Sequence, residues 1–191
     1  MALRFTVRSI LPSMLIYAAL IALAIAFDWI LHVLGWARVG RYLGAIGSSV
    51  IISSFAYSLR KRRYIELGNP KRLLQSHELM GWLGALMVLV HGGVHFNAIL
   101  PWMALVSMMV VVASGLTGKF LLQDARASLK VRALDLKAAG HSADDIEKEL
   151  LGLGLIADTM QQWRRVHLPL TMVFVGLALI HIAATVLLWR W

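Results

Sequence analysis

The chain has 191 residues, of which 59% are hydrophobic, and it carries a formal net charge of +9 without any cysteine. The absence of cysteine excludes disulfide bonds, iron–sulfur clusters, thiolate metal sites and the C-x-x-C-H attachment of c-type haem. Apolar runs of about 20 residues match a bilayer core of about 30 Å, so the composition indicates an integral membrane protein in a lipid bilayer. The positive charge then indicates membrane topology rather than nucleic-acid binding.

The chain begins with a basic segment, residues 1–8, and the apolar run after it is too long for a signal peptide. This start predicts a retained signal anchor. Five apolar segments predict an all-α membrane bundle in a single domain, residues 1–191, because lipid-embedded segments satisfy their backbone hydrogen bonds as helices. The predicted spans lie at about 10–34, 40–59, 77–100, 101–122 and 166–189.

Residues 123–165, between the fourth and fifth spans, predict a short helical loop on the cytoplasmic side. Its first half has a helix-forming composition, and Ser142 followed by two acids is typical of a helix N-cap. We expect this loop to lie as surface helices against the bundle or the lipid headgroups. A docking platform for a partner subunit is the alternative interpretation.

The distribution of basic residues predicts the orientation of the spans. Sixteen of the nineteen Lys and Arg residues lie before the first span, in the second-to-third connection, or from Lys119 near the end of the fourth span through the fourth-to-fifth connection, and the other three are Arg38, Arg41 and Arg190. Because basic connections stay in the cytoplasm, we expect a cytoplasmic N-terminus and a periplasmic C-terminus in a bacterial inner membrane.

Two of the predicted spans each carry a pair of histidines fourteen residues apart, His77 with His91 and His167 with His181. Fourteen residues make about 21 Å of helix axis and nearly four whole turns, so each pair lies on one face. The third and fifth spans run in the same direction, which sets His77 level with His167 and His91 level with His181. Histidines inside a membrane are costly and indicate a function, and neutral imidazole is a good axial ligand of haem iron. The pattern predicts two stacked b-type haems, an inner one held by His77 and His167 and an outer one held by His91 and His181.

Other residues in these spans, or next to them, fit the hypothesis of two bound haems. Gly84, midway between the first pair, would let a flat macrocycle approach the backbone, and the ring of Phe174, midway between the second pair, would pack between the haems. Arg164 and Arg165 could pair with inner haem propionates, although topological anchoring explains them equally well. His95, one turn beyond His91, is the alternative outer ligand, but the equal spacing of the two pairs favours His91.

The segments HELMGWLGALMVLVH (77–91) and HLPLTMVFVGLALIH (167–181) resemble the ferric-reductase-like transmembrane domain. In that family, paired histidines on the third and fifth spans hold two haems that pass electrons across the membrane. The pattern is also similar to cytochrome b subunits of respiratory complexes. The family usually has six spans, and this sequence contains no flavin or nicotinamide domain.

The resemblance implies a dihaem electron-transfer subunit of a multi-subunit oxidoreductase rather than a complete enzyme. We expect a cytoplasmic redox partner, a flavin or iron–sulfur protein, and a quinone is a further candidate partner. One alternative is a quinol-oxidising or quinone-reducing cytochrome b module. Another, of a different class, is a haem-free membrane anchor or transporter whose histidines bind metal or carry protons.

Overall fold

The computed structural model describes residues 2–66, 68–93 and 98–188, with the backbone alone described at 2–9, 121–123, 125, 126, 152, 153 and 156–165. These residues form six helices: α1 (Ala2–Val33), α2 (Ala37–Ser54), α3 (Ala56–Lys61), α4 (Pro70–Gly92), α5 (Ile99–Ala138) and α6 (Ala143–Leu188). Five stretches are long and apolar enough to cross a membrane: Ile10–Val33, Ala37–Lys61, Pro70–Gly92, Ile99–Phe120 and Val166–Leu188. The predicted all-α membrane bundle is therefore confirmed.

The third span is displaced toward the N-terminus relative to its prediction at 77–100. Asn69 caps α4, since its side chain accepts a hydrogen bond from the Lys71 N–H at 2.9 Å, and Pro70 occupies the first helical position. Both are favoured helix-start residues. The helix ends at Gly92 because Gly93 adopts a positive φ of 51°. His77 therefore lies two turns inside α4 rather than at its start.

The connection at 123–165 differs from its prediction, because its helices are not separate surface elements. The fourth span continues as α5 to Ala138, and α6 runs without a break from Ala143 into the fifth span. The predicted start at Ser142 is confirmed, since its Oγ accepts the Asp145 N–H at 3.2 Å. Helix formers fill the sequence after Phe120, and nothing breaks the helix until Gly140, whose φ is 78°. The two extensions form a helical hairpin, joined by an ion pair in which Arg132 Nη2 lies 2.6 Å from Glu149 Oε1.

The bundle consists of two closely packed helix pairs, α2 with α4 and α5 with α6, and α1 contacts α2, α4 and α5. Four buried side chains, one each from α1, α4, α5 and α6, form its central cluster: Leu20, Ala85, Met108 and Phe174. Large apolar side chains elsewhere on the spans are exposed, as expected of surfaces that face lipid.

Glycines allow α2 and α4 to approach each other closely. A Cβ built on Gly84 would lie 2.6 Å from Ile51 Cγ1 and 2.9 Å from the Gly47 carbonyl oxygen, and a Cβ on Gly47 would lie 2.9 Å from the Gly84 carbonyl oxygen. Small residues bring helix backbones together in this way inside membranes, where lipid removes the hydrophobic drive for association.

We expect Gly84→Ala to destabilise the bundle by about 1–3 kcal/mol, because the added methyl meets a backbone oxygen that can move only with its whole helix. The measurement is thermal unfolding in detergent. Gly176→Ala in α6 is the matched control, because a Cβ there meets nothing within 4 Å and the melting temperature should not fall. Equal melting temperatures for the two variants would contradict the proposed α2–α4 contact.

Candidate functional site

The histidines of α4 and α6 are brought together in two pairs. The imidazole of His167 lies within electrostatic range of His77, and that of His181 within range of His91. The earlier histidine of α4 pairs with the earlier histidine of α6, and the later one with the later one, so α4 and α6 run in the same direction. Within the described part of the chain α4 and α6 make no extended backbone contact, so each pair joins histidines of two helices that are not packed directly against each other.

Each imidazole of α4 is held by a backbone carbonyl of α2. His77 Nδ1 lies 3.1 Å from the Ser54 carbonyl oxygen, and His91 Nδ1 lies 3.0 Å from that of Gly40. A carbonyl only accepts, so Nδ1 carries the proton and donates it in both bonds. In a neutral ring Nε2 then keeps its lone pair, which is the arrangement of a histidine that is ready to bind a metal.

The two carbonyls have the same spacing as the two histidines. Gly40, Gly47 and Ser54 recur every seven residues along α2, opposite His91, Gly84 and His77, which recur every seven residues along α4. Seven residues are close to two helical turns, so all three contacts lie along one antiparallel seam. The close approach at Gly47 and Gly84 thus sets the register in which both histidines reach their acceptors.

Gly44 provides the space for the His91 ring. A Cβ on Gly44 would lie 2.6 Å from His91 Cδ2 and 2.7 Å from Cγ and Nδ1. Any larger residue at this position would push the ring away from the Gly40 carbonyl. Gly40, Gly44 and Gly47 had no predicted role, although closely spaced glycines in a membrane span are a recognised signal of close packing.

His167 is held by a side chain of α5. Its Nδ1 lies 2.5 Å from Ser114 Oγ, and Ser114 Oγ donates to the Val111 carbonyl oxygen at 2.9 Å. With the serine proton used in that way, Nδ1–H of His167 is the donor to Oγ. Gly115 leaves room beside the ring, since a Cβ there would lie 3.6 Å from His167 Cε1. A serine in an apolar span is a candidate partner for a buried histidine, but such serines commonly form hydrogen bonds only within their own helix.

Gly84 does not face a cofactor space, which corrects the role expected for it. The volume beside its Cα is filled by Gly47 and Ile51 of α2, so its missing side chain serves helix packing. Gly81, one turn beyond His77, lies beside open space, because a Cβ there would meet nothing within 4 Å. Phe174 is buried in the same cluster as Ala85 of α4, at a depth between the two histidine levels.

Several predicted residues lie outside the described residues. These are His95, the alternative outer ligand, and the side chains of Arg164 and Arg165, the expected propionate partners. The His181 imidazole lies near His91. The backbone carbonyl of His181 accepts a hydrogen bond from Thr185 Oγ1 at 2.8 Å.

The donor set suits a haem better than a small metal ion. Among the described residues no group of three or more His, Cys, Asp or Glu side chains is placed to hold an ion, whereas a haem iron needs only two opposed imidazoles. Trp82, which packs on the central cluster, has a buried Nε1–H that meets no acceptor among these residues.

Comparisons with protein-family models, with curated proteins and with solved structures gave no match. The geometry of the site therefore carries the functional argument.

We expect Gly44→Ala to displace the His91 ring and break its hydrogen bond to the Gly40 carbonyl. The measurement is long-range ¹H–¹⁵N NMR of the imidazole, which should show a proton on Nδ1 in the unsubstituted protein and loss of that state in the variant. Gly40→Ala is the matched control, since its Cβ would lie at an ordinary 3.9 Å from the Val90 carbonyl oxygen. A proton on Nε2 in the unsubstituted protein would contradict the assignment.

Proposed function

We propose that this integral membrane protein is a dihaem b-type cytochrome subunit that carries electrons across the bilayer within a larger oxidoreductase. The observation that supports it most strongly is the pairing of imidazoles across α4 and α6 at two depths, with Nδ1 of His77, His91 and His167 already engaged. A histidine that serves only helix packing has no need of a partner imidazole on a non-adjacent helix. Four such residues in membrane spans are costly unless they bind something.

The residues of the chain would hold and orient the two cofactors. His77 and His167 would hold one haem, and His91 and His181 would hold the other. When bound, the haems would supply the one-electron chemistry. The carbonyls of Ser54 and Gly40 and the hydroxyl of Ser114 would fix the tautomer and the rotation of three ligand rings, and would raise their basicity.

The middle of the bundle would keep the two sites apart and exclude water from the space between them. Phe174 is buried with Leu20, Ala85 and Met108 at the depth between the histidine levels. Haem potentials depend on burial and on hydrogen bonds to the ligands. Ser114 and the α2 carbonyls are therefore the residues through which this chain would tune its potentials.

The distribution of basic residues supports a cytoplasmic location for the His77/His167 level and for the α5–α6 hairpin. We place the protein in a bacterial inner membrane on this basis, with a cytoplasmic flavin or iron–sulfur protein as the expected electron partner. A quinone is the other candidate at either end of the path.

The test is an optical spectrum of the purified protein together with a haem assay. We expect a b-type Soret band, α and β bands on reduction, and two haems per chain. His91→Ala should remove one haem and leave the other, because the two levels lie about 21 Å apart along the helix. A protein purified with haem available that shows no Soret band would refute the proposal.

His95→Ala is the control for the choice of outer ligand. The variant should retain both haems, because His91 lies fourteen residues from His77, the same spacing that separates His181 from His167. Loss of a haem in His95→Ala with retention of both in His91→Ala would assign the outer ligand to His95 instead.

A further inference from the structure

The two helix pairs that carry the histidines must be aligned with each other. His77 and His91 belong to the α2–α4 pair, and His167 and His181 belong to the α5–α6 pair. Contact between α4 and α5 is much less extensive than contact within either pair, and α1 lies against both. Because direct contact between α4 and α5 is limited, a polar contact between these two helices would have a large share in holding one pair against the other.

An ion pair joins α4 to α5 beside one of the histidine levels. Lys119 Nζ lies 2.6 Å from Glu78 Oε2, and both side chains are about two-thirds buried, with exposed fractions of 34% and 30%. Both residues lie in helical stretches apolar enough to span a membrane. A charge without a partner is costly there, so this pair is far more restrictive than one on a soluble surface.

The ion pair completes a row of polar contacts across four helices. The Ser54 carbonyl holds His77 (α2 to α4), Glu78 holds Lys119 (α4 to α5), and Ser114 holds His167 (α5 to α6). Glu78 directly follows His77 in the chain, and Lys119 is five residues from Ser114, so all three contacts lie near one depth. At the His91/His181 level the described residues show the α2–α4 contact of His91 with Gly40.

We propose that Glu78 and Lys119 are positioning residues that align the two helix pairs, so that His77 faces His167. The proposal deepens the proposed function, since it names what determines whether the imidazoles of that level can share one haem iron. It also makes the two levels unequal, because the ion pair acts at only one of them. Repulsion at this position pushes α4 and α5 apart at the end that carries Glu78 and so separates His77 from His167, while the His91/His181 level, about 21 Å away, keeps its ligands.

The test is charge reversal followed by exchange. Glu78→Lys sets two cations against each other, as Lys119→Glu does with two anions, and each single variant should keep one haem per chain where the unsubstituted protein has two. The double variant with both charges exchanged should recover the second haem and its low-spin bis-histidine signal in electron paramagnetic resonance. Asp144→Lys is the matched control, because its pair with Lys148 lies on the exposed hairpin, and both haems should remain.

A second readout needs no haem. The chain has no cysteine, so one spin label can be attached in α4 through Leu79→Cys and a second in α6 through Leu168→Cys. Both positions are exposed and lie close to His77 and His167 in the sequence. The distance between the labels should change in Glu78→Lys and return in the exchanged double variant. An unchanged distance in both single reversals would overturn the positioning role, whether or not haem binds. If Lys119→Glu alone loses the haem and the exchange does not restore it, Lys119 binds the cofactor and does not position α4.

Discussion

The close antiparallel contact between α2 and α4 is the constraint on which the rest of the site depends. Gly47 and Gly84 bring the two backbones so close that neither position has room for a Cβ. From that point the seam extends seven residues in each direction, to the contacts of His91 with Gly40 and of His77 with Ser54. One contact between two glycines thus fixes two imidazoles about 21 Å apart, because a helix is stiff and its repeat is fixed.

This arrangement divides the work between the helices. The helices α4 and α6 carry the paired histidines, while α2 and α5 supply hydrogen-bond acceptors for three of their imidazoles. Acceptors from the backbone cannot be lost by substitution, so His77 and His91 are oriented by the fold itself. His167 depends on the Ser114 hydroxyl, a weaker and replaceable acceptor. In a dihaem cytochrome such a difference would give each level its own ligand basicity and its own potential.

Hydropathy was sufficient to predict five membrane-spanning helices, although α4 begins earlier than predicted and α5 and α6 extend beyond their spans. Periodicity was sufficient to place each pair of histidines on one helix face. It was insufficient for the partners of the histidines, because a helical repeat says which residues share a face but not which neighbour that face meets. Gly84 illustrates the difference: its place between His77 and His91 was clear, but α2 rather than a cofactor fills the space beside it. The start of α4 was available in the Asn69–Pro70 signal. The continuation of α5 past the membrane boundary follows from the absence of helix breakers before Gly140, whereas α6 is continuous although it contains Pro169.

Near-infrared magnetic circular dichroism of the oxidised protein, combined with a haem count per chain, would test whether each pair of histidines holds one haem iron. This spectroscopy identifies the two axial ligands of a ferric haem from its charge-transfer band. We expect two haems per chain, both with bis-imidazole ligation. A single haem per chain, or a ligand other than histidine on either iron, would contradict the pairing of His77 with His167 and of His91 with His181.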